Sequence, residues 1–450
     1  MNDSRMELAS ERRVSWFDTE TAPSQPSPSQ VTSQDVPESD AVELPIVCIV
    51  GLGYIGLPTA AMLAGHGFRV HGVEVDPETR ATINSGKAHV IEPDLDQLVK
   101  AGIDSGRLKA FAQPAQAEAF MLCVPTPVDE RAAADLSLVD AATRAICPFL
   151  RQGNLVILES TSPPGTTERI ARIVHEETGL TDDQVYFAHA PERVLPGSIL
   201  HEVVHNDRVV GGVNEASTQA AVKLYKTFVR GQIFTCHSRV AETVKLVENA
   251  SRDGQIAFAN ELSILCDKLE IDVRELIELA NRHPRVNILA PGCGVGGHCI
   301  AVDPWFLVDK AENELGIELP MIRTAREVND GKPKWVADRV IEHAAKFKSP
   351  TIACLGATYK PNIDDLRESP AAQIVRDLVG RVSGTVLLVE PHIDAFDSVE
   401  LCEMHDAIER ADIVVFLVAH SQFRNISQET LAEKLVVDTC GATHQTLAPK

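Results

Sequence analysis

With 450 residues, 44% of them hydrophobic and 24% charged, the chain is long enough for two or three globular domains and has an ordinary soluble composition. A formal net charge of −22 argues against nucleic acid, which needs a basic surface, yet leaves room for a small anion held by a few Arg, Lys and backbone N–H groups. No apolar run nears the ~20 residues that cross a bilayer and no secretion signal is evident, so a cytoplasmic location without membrane insertion is expected.

The ten cysteines are scattered, without CxxC pairs or zinc-type Cys/His spacing, so no metal site is expected and most should be small packed thiols. Residues 1–44 are rich in Ser, Pro, Gln and acids and lack helical or strand periodicity. They read as a disordered tail, in which Trp16-Phe17 is the one potential docking motif. Order begins at Pro45. The apolar run 46–50 (IVCIV) ends in a glycine-rich turn, followed by a helical pattern over 57–65. Further strands are expected at 70–75, 119–124 and 155–160 with helical stretches between, the signature of a doubly wound parallel sheet.

From Arg239 to Leu269 runs a long helix-compatible stretch without proline, weakened only by Gly254, which costs ~1 kcal/mol against alanine. More helix is expected at 272–281 and 305–315. A second alternating set follows, with strands at 351–356, 385–390, 412–418 and 434–439 and a helix from Pro370 to Leu378. The expected fold class is therefore α/β, with two Rossmann-like, doubly wound parallel-sheet domains joined by a long central helix and a helical middle. The boundaries are 1–44 tail, 45–236 first domain, 237–330 middle and 331–450 second domain.

Gly51-Leu52-Gly53-Tyr54-Ile55-Gly56 lies between the first strand and its helix. Glycines in this spacing permit a tight turn, close approach of backbone to a pyrophosphate, and packing of helix on strand. Glu74 ends the second strand, where a carboxylate would bind the ribose diol of NAD and repel the 2′-phosphate of NADP. Four glycines, at 292, 294, 296 and 297, precede Cys299 and imply backbone close to a ligand. Taken alone Cys299 is more often a packed thiol. The glycine loop and Asp303 favour a nucleophile, which would need positive charge nearby, from His298 or a lysine. Cys293 in the same loop reads as structural. Lys245, Asn249 and Arg252 share one face of the long helix, either a solvated stripe or, if buried, a functional one. Thr161 and Glu192 follow strands, at the edge where parallel sheets bind ligands, and Tyr359-Lys360 and Arg367 occupy the corresponding loop of the second set.

Taken in order, GLGYIGLP, VPTP (124–127), ESTSPPGTT (159–167), AETVKLVENASRDGQIAFANEL (241–262), GVGGHC and DLRESP (365–370) resemble the UDP-glucose/GDP-mannose dehydrogenase family from Ile46 to the C-terminus. The resemblance implies Cys299 as nucleophile and Lys245 as proton donor and acceptor, with Asn249, Thr161 and Asp303 around the reacting carbon and Glu192 as candidate base for hydrolysis. It implies substrate contacts at Arg193, Val194, Arg252, His283, Arg285, Gly296, Tyr359 and Lys360. NAD contacts are implied at Tyr54, Ile55, Glu74, Thr126, Thr161 and Arg367, beside the turn glycines 51, 53 and 56. It further implies a UDP-sugar substrate, a product of the kind used in cell-surface polysaccharides, and a homodimer through the central helix.

Within the family, segment 281–306 is similar to the branch acting on UDP-N-acetyl-D-mannosamine. The UDP-glucose branch has Pro-Lys where Ala301-Val302 stand, and a second glutamate where Pro196 stands. Cys440 stands where many relatives have a basic residue, so the resemblance implies no substrate contact at that position. Beside this reading stand a UDP-N-acetylglucosamine or UDP-glucose dehydrogenase, a single-step hydroxy-acid dehydrogenase needing no cysteine, and a non-catalytic NAD-binding regulator on the same fold.

Overall fold

Short runs of aliphatic and aromatic residues build the strands, and their period-2 alternation sends neighbours to opposite faces of the sheet. In the computed structural model, which describes residues 45–129, 133–195, 197–297, 299–397 and 399–443, the chain falls into two compact units dividing at Lys245/Leu246. The tail with Trp16-Phe17, and His298, lie outside the described residues.

The first unit carries an eight-stranded sheet of β1 (Ile46–Val50), β2 (Arg69–Val73), β3 (Leu108–Phe111), β4 (Ala119–Leu122), β5 (Asn154–Leu158), β6 (Val185–His189), β7 (Arg208–Gly212) and β8 (Ile233–His237). Their order is β3-β2-β1-β4-β5-β6-β7-β8. Within β1, Val47 and Ile49 enter one core cluster and Cys48 and Val50 another, so the sheet is buried on both faces as a doubly wound parallel sheet requires. Winding reverses between β1 and β4, and the turn after β1 opens at that switch point. One pair departs from the all-parallel expectation: β6 and β7 run antiparallel, meeting over Ala188–Gly212 and His189–Gly211.

The second unit carries a parallel sheet of β9 (Thr351–Leu355), β10 (Thr385–Val389), β11 (Glu400–Leu401), β12 (Ile413–Phe416) and β13 (Leu435–Asp438), in the order β11-β10-β9-β12-β13. Its switch point lies between β9 and β12. Ile352 and Cys354 pack into one cluster, Ala353 and Leu355 into another.

A single helix, Ser238–Leu269, runs 32 residues without interruption, a length of ~48 Å. Gly254 does not break it. The expected 305–315 helix is an α-helix over Asp303–Asp309 that ends in a π turn, Lys310–Glu314. The helix Pro320–Ala344 carries Pro333 inside it. No described helix is long and apolar enough to cross a membrane.

Candidate active site

The candidate residues fall into two groups, one on each unit. On the first, the three turn glycines each have their own cause. Gly51 sits at φ +93°, and a Cβ there would meet the Cys123 carbonyl oxygen at 2.6 Å, while one at Gly56 would meet the Gly51 carbonyl oxygen at 1.9 Å. Nothing lies within 4 Å of the place where a Cβ of Gly53 would stand, so the middle glycine alone opens onto ligand space. Helix Gly56–Gly65 begins without a side-chain cap, which offers its first turn and dipole to an anion. Gly51 N–H donates to the Val73 carbonyl at 2.9 Å, fixing the turn beside Glu74, and Thr126 Oγ1 donates to the Thr161 carbonyl at 2.6 Å across the ends of β4 and β5. Tyr54 is exposed and Ile55 half-buried. A pyrophosphate cradle with an acid at the next strand end fits NAD.

Glu74 is half-buried and accepts the Asp76 N–H at 3.0 Å, while the Arg80 guanidinium donates to the Glu74 carbonyl at 2.6 Å. A cation therefore already stands at the strand end. Glu74→Ala is expected to weaken NAD binding roughly 10- to 100-fold, the value of a charge-assisted hydrogen bond, and to narrow the preference over NADP. Titration of both cofactors checks this, and unchanged NAD affinity would place the ribose elsewhere.

The ends of β5 and β6 hold a buried polar cluster that sequence reasoning found only at Glu192. Arg208 Nη2 donates to Glu192 Oε2 at 2.8 Å, and the Arg193 N–H donates to Glu192 Oε1 at 2.9 Å. Tyr225 OH donates to Glu159 Oε1 at 2.6 Å and the Cys123 thiol to Glu159 Oε2 at 3.3 Å. Burial raises the Glu159 carboxyl above its ordinary range although Arg208 opposes it, and burial beside Glu159 lifts the Cys123 thiol further from ionisation. Glu192 is held in place by the Arg208 guanidinium and the Arg193 N–H. Val194 is half-buried, and Arg193 Nη2 donates to the Asp207 carbonyl at 2.7 Å. Glu159 follows β5, Arg208 opens β7 and Tyr225 ends the helix Glu215–Tyr225, a spacing in the chain that carries no pairing signal, which is why the three escaped notice.

Lys245 lies on the first turns of the long helix, which Glu242 ties to this edge. Its carboxylate takes the Gly165 and Thr167 N–H groups, each at 2.6 Å. Burial, with the Lys245 ammonium nearby, pushes His189 down to about 3, so that ring is neutral; its Nδ1 is buried without a partner.

On the second unit, Asn249 Nδ2 donates to Asp303 Oδ2 at 2.6 Å, and the Asp303 N–H closes onto the Cys299 carbonyl at 2.8 Å. Cys299 is thereby held at the start of helix Asp303–Asp309, and it alone of the ten cysteines is exposed among the described residues. Cys293 is the structural thiol expected: it is buried, donates to the Leu417 carbonyl at 3.5 Å and is pushed up to about 12 by burial.

The glycines of the cysteine loop have a steric cause within the protein. A Cβ at Gly294 would strike Pro370 at 2.7 Å, one at Gly296 the Glu368 carbonyl at 2.4 Å, and one at Gly297 the Tyr359 ring at 2.9 Å. These three are glycine because neighbouring protein packs where a Cβ would stand; only Gly292 is clear of such contacts. Tyr359 is half-buried behind the loop and Lys360 is exposed. Arg367 is ion-paired with Asp365 at 2.6 Å, and Arg252, His283 and Arg285 are exposed.

Three domain profiles of one family match the chain. They are the NAD binding domain of the UDP-glucose/GDP-mannose dehydrogenase family over residues 46–229, its central domain over 239–331 and its UDP binding domain over 353–445. An NDP-N-acetyl-D-galactosaminuronic acid dehydrogenase of Ralstonia nicotianae is 51% identical over 414 residues, covering 89% of this chain and 96% of the relative. A UDP-N-acetyl-D-mannosamine dehydrogenase of Campylobacter jejuni is 48% identical over 400 residues, covering 85% and 97%. Among solved structures, the UDP-D-ManNAc dehydrogenase of Pyrococcus horikoshii superposes with a TM-score of 0.81 at 38% identity, covering 89% of this chain and 96% of that one.

Proposed function

We propose that this chain, which belongs to the UDP-glucose/GDP-mannose dehydrogenase family, oxidises the C6 alcohol of UDP-N-acetyl-D-mannosamine to the carboxylate in two NAD-dependent steps. The observation that carries the reading is the exposed Cys299 thiol beside the Asp303–Asn249 hydrogen bond, in a chain that also has the open glycine turn and Glu74. A hydroxy-acid dehydrogenase would have no use for that thiol.

Bound NAD supplies the hydride acceptor for each oxidation. Lys245 takes the C6 hydroxyl proton as the aldehyde forms, and Thr161 and Asn249 orient the reacting carbon. A free aldehyde is a poor hydride donor. Addition of the Cys299 thiolate to its carbon gives a thiohemiacetal, whose oxidation leaves a thioester. Lys245 and Asn249 stabilise the oxyanions of both stages, with Asp303 holding Asn249 in place. Water, with Glu192 as base, then attacks the acyl carbon and the thiolate leaves. Arg193, Val194, Arg252, His283, Arg285, Gly296, Tyr359 and Lys360 are the proposed substrate contacts. Tyr54, Ile55, Thr126 and Arg367 join the turn as proposed cofactor contacts.

The 51% identity to the Ralstonia protein, whose name specifies an N-acetylgalactosamine-derived sugar, favours one second reading: the same reaction on the galacto sugar. NADH yield and kcat/KM over UDP-N-acetylmannosamine, UDP-N-acetylgalactosamine, UDP-N-acetylglucosamine and UDP-glucose separate these. Two NADH per sugar, with the manno substrate best, is expected. One NADH would point to single-step chemistry, and none to a regulator.

The same reading includes a homodimer. On the long helix Val240, Val247, Phe258, Leu265 and Leu269 are 52%, 46%, 52%, 51% and 57% exposed. With 3.6 residues per turn their spacing puts all five within ~40° of arc, one apolar stripe along the whole element. Such a stripe needs a cover, and a second copy supplies an equal one. Light scattering at micromolar concentration should give the mass of two chains, and Phe258→Asp should shift it towards one. A monodisperse wild-type monomer would remove the proposal.

A further inference from the structure

Two side chains outside every motif described so far hold the loop that carries Tyr359 and Lys360. Glu390 directly follows β10 and is 6% exposed; His420, past the end of β12, is 0% exposed. Glu390 Oε2 accepts the Ala357 N–H at 2.7 Å and the Thr358 N–H at 3.1 Å, and Oε1 accepts the His392 N–H at 3.1 Å. His420 Nε2 stands 3.0 Å from Glu390 Oε2, and its Nδ1 stands 3.0 Å from the Asn362 nitrogen. A backbone N–H can only donate, so Nδ1 accepts and Nε2 carries the hydrogen given to Glu390. The ring is therefore held in one orientation with both nitrogens engaged.

These contacts tie the loop at both ends. Glu390 holds Ala357 and Thr358. His420 holds Asn362, which adopts φ +62° and accepts the Ser421 N–H on its side chain at 3.0 Å. Between the ties stand Tyr359 and Lys360, at the switch point where winding of the second sheet reverses. Burial opposes ionisation of Glu390, yet the His420 donor and the two backbone N–H groups hold its carboxyl below the ordinary value. With His392 these residues bring three metal-ligand atoms within 4.8 Å. Binding a metal through Nε2 would move the His420 hydrogen to Nδ1, against the Asn362 N–H, so the wiring serves the loop.

The loop also backs the cysteine segment. The Tyr359 ring lies 2.9 Å from where a Cβ of Gly297 would stand, and its Cβ lies 2.9 Å from that of Gly296. We propose that Glu390 and His420 are positioning residues, which set Tyr359 and Lys360 for the nucleotide sugar and, through Tyr359, the glycine loop ahead of Cys299. This rests on the reading of Tyr359 and Lys360 as substrate contacts.

The test uses the full chain with UDP-N-acetylmannosamine and NAD. It reads both Michaelis constants, kcat, and the rate at which iodoacetamide alkylates Cys299, followed by peptide mass spectrometry. His420→Phe fills the ring's place but breaks both ties. It should raise the Michaelis constant for the nucleotide sugar roughly 10-fold or more, leave that for NAD within about twofold, and change the alkylation rate severalfold. His420→Gln can place its amide N–H at the Nε2 position to donate to Glu390 but has no atom at the Nδ1 position that takes the Asn362 N–H, should give a smaller effect of the same pattern, and carries the test if the Phe variant does not fold. Lys360→Ala tests the underlying reading. If it raises the nucleotide-sugar constant while the folded His420 variants move neither constant nor alkylation rate, the positioning role is overturned and the site stands. If Lys360→Ala changes nothing, the loop is not a substrate contact and the reading beneath the proposal fails.

Discussion

Cys299→Ser should keep the fold and lose steady-state four-electron turnover by roughly 10³-fold or more, ~4 kcal/mol at the transition state. The side chains are nearly isosteric, and Cys299 is exposed, so no packing is disturbed. A serine hydroxyl can add to the aldehyde, but the ester formed after the second oxidation hydrolyses more slowly than a thioester. The adduct should accumulate and appear by mass spectrometry as a covalent sugar nucleotide on the protein. Cys299→Ala can form no adduct and should stop at or before the aldehyde. Cys293→Ser supplies the control within the same loop: that thiol is buried, so its loss should affect stability modestly and turnover little. If Cys299→Ala still delivered two NADH per sugar, the covalent route would be wrong.

What the sequence disclosed follows a physical division. Gly51, Gly53 and Gly56 are readable because two steric demands, at Gly51 and Gly56, flank an open position at Gly53 in one short turn, and Glu74 because strand and helix lengths fix its distance from that turn. Cys299 is readable because a glycine run flags an unusual backbone, although the cause differs from the one expected: Pro333, Pro370 and Tyr359 crowd the loop.

Strand β7 was missed because its Gly211-Gly212 pair resembles a turn. In the fold a Cβ at Gly211 would meet the His237 carbonyl at 2.7 Å and one at Gly212 the Thr218 nitrogen at 2.4 Å, so these glycines are forced by packing inside a strand. The Pro320–Ala344 helix was missed because proline argues against a helix interior. Here Pro333 is buried and serves as a wall for Gly294, a tertiary advantage no local pattern reveals. Glu390 and His420 lie 30 residues apart in the chain and meet only because β9 brings the ends of β10 and β12 together.

The same missed helix supports the second large effect. Arg326 and Asp253 are 1% and 0% exposed, and Arg326 Nη1 donates to Asp253 Oδ1 at 2.6 Å. Asn329 Nδ2 donates to the same oxygen at 2.8 Å, Asn260 Nδ2 donates to Asn329 Oδ1 at 2.9 Å, and Asn260 Oδ1 takes the Gly292 N–H at 2.9 Å. A continuous polar chain thus runs from a buried ion pair to the first glycine of the cysteine loop. Asp253→Ala strands a buried guanidinium whose remaining carboxylate partner, Asp330, is half exposed. The expected loss is ~3–5 kcal/mol in urea or thermal unfolding. Arg326→Met should lose a similar amount, because it leaves the Asp253 carboxylate uncompensated. The double variant Asp253→Leu/Arg326→Met should lose well under the sum, since most of each single penalty is an unpaired buried charge and not a lost attraction. Turnover separates structure from site: in the double variant Asn329 loses the Asp253 carboxylate and keeps only the Asp253 carbonyl at 3.0 Å, so stability should recover further than kcat. Single variants costing under about 1 kcal/mol would mean that solvent reaches the pair, and the helix contact would then rest on apolar packing alone.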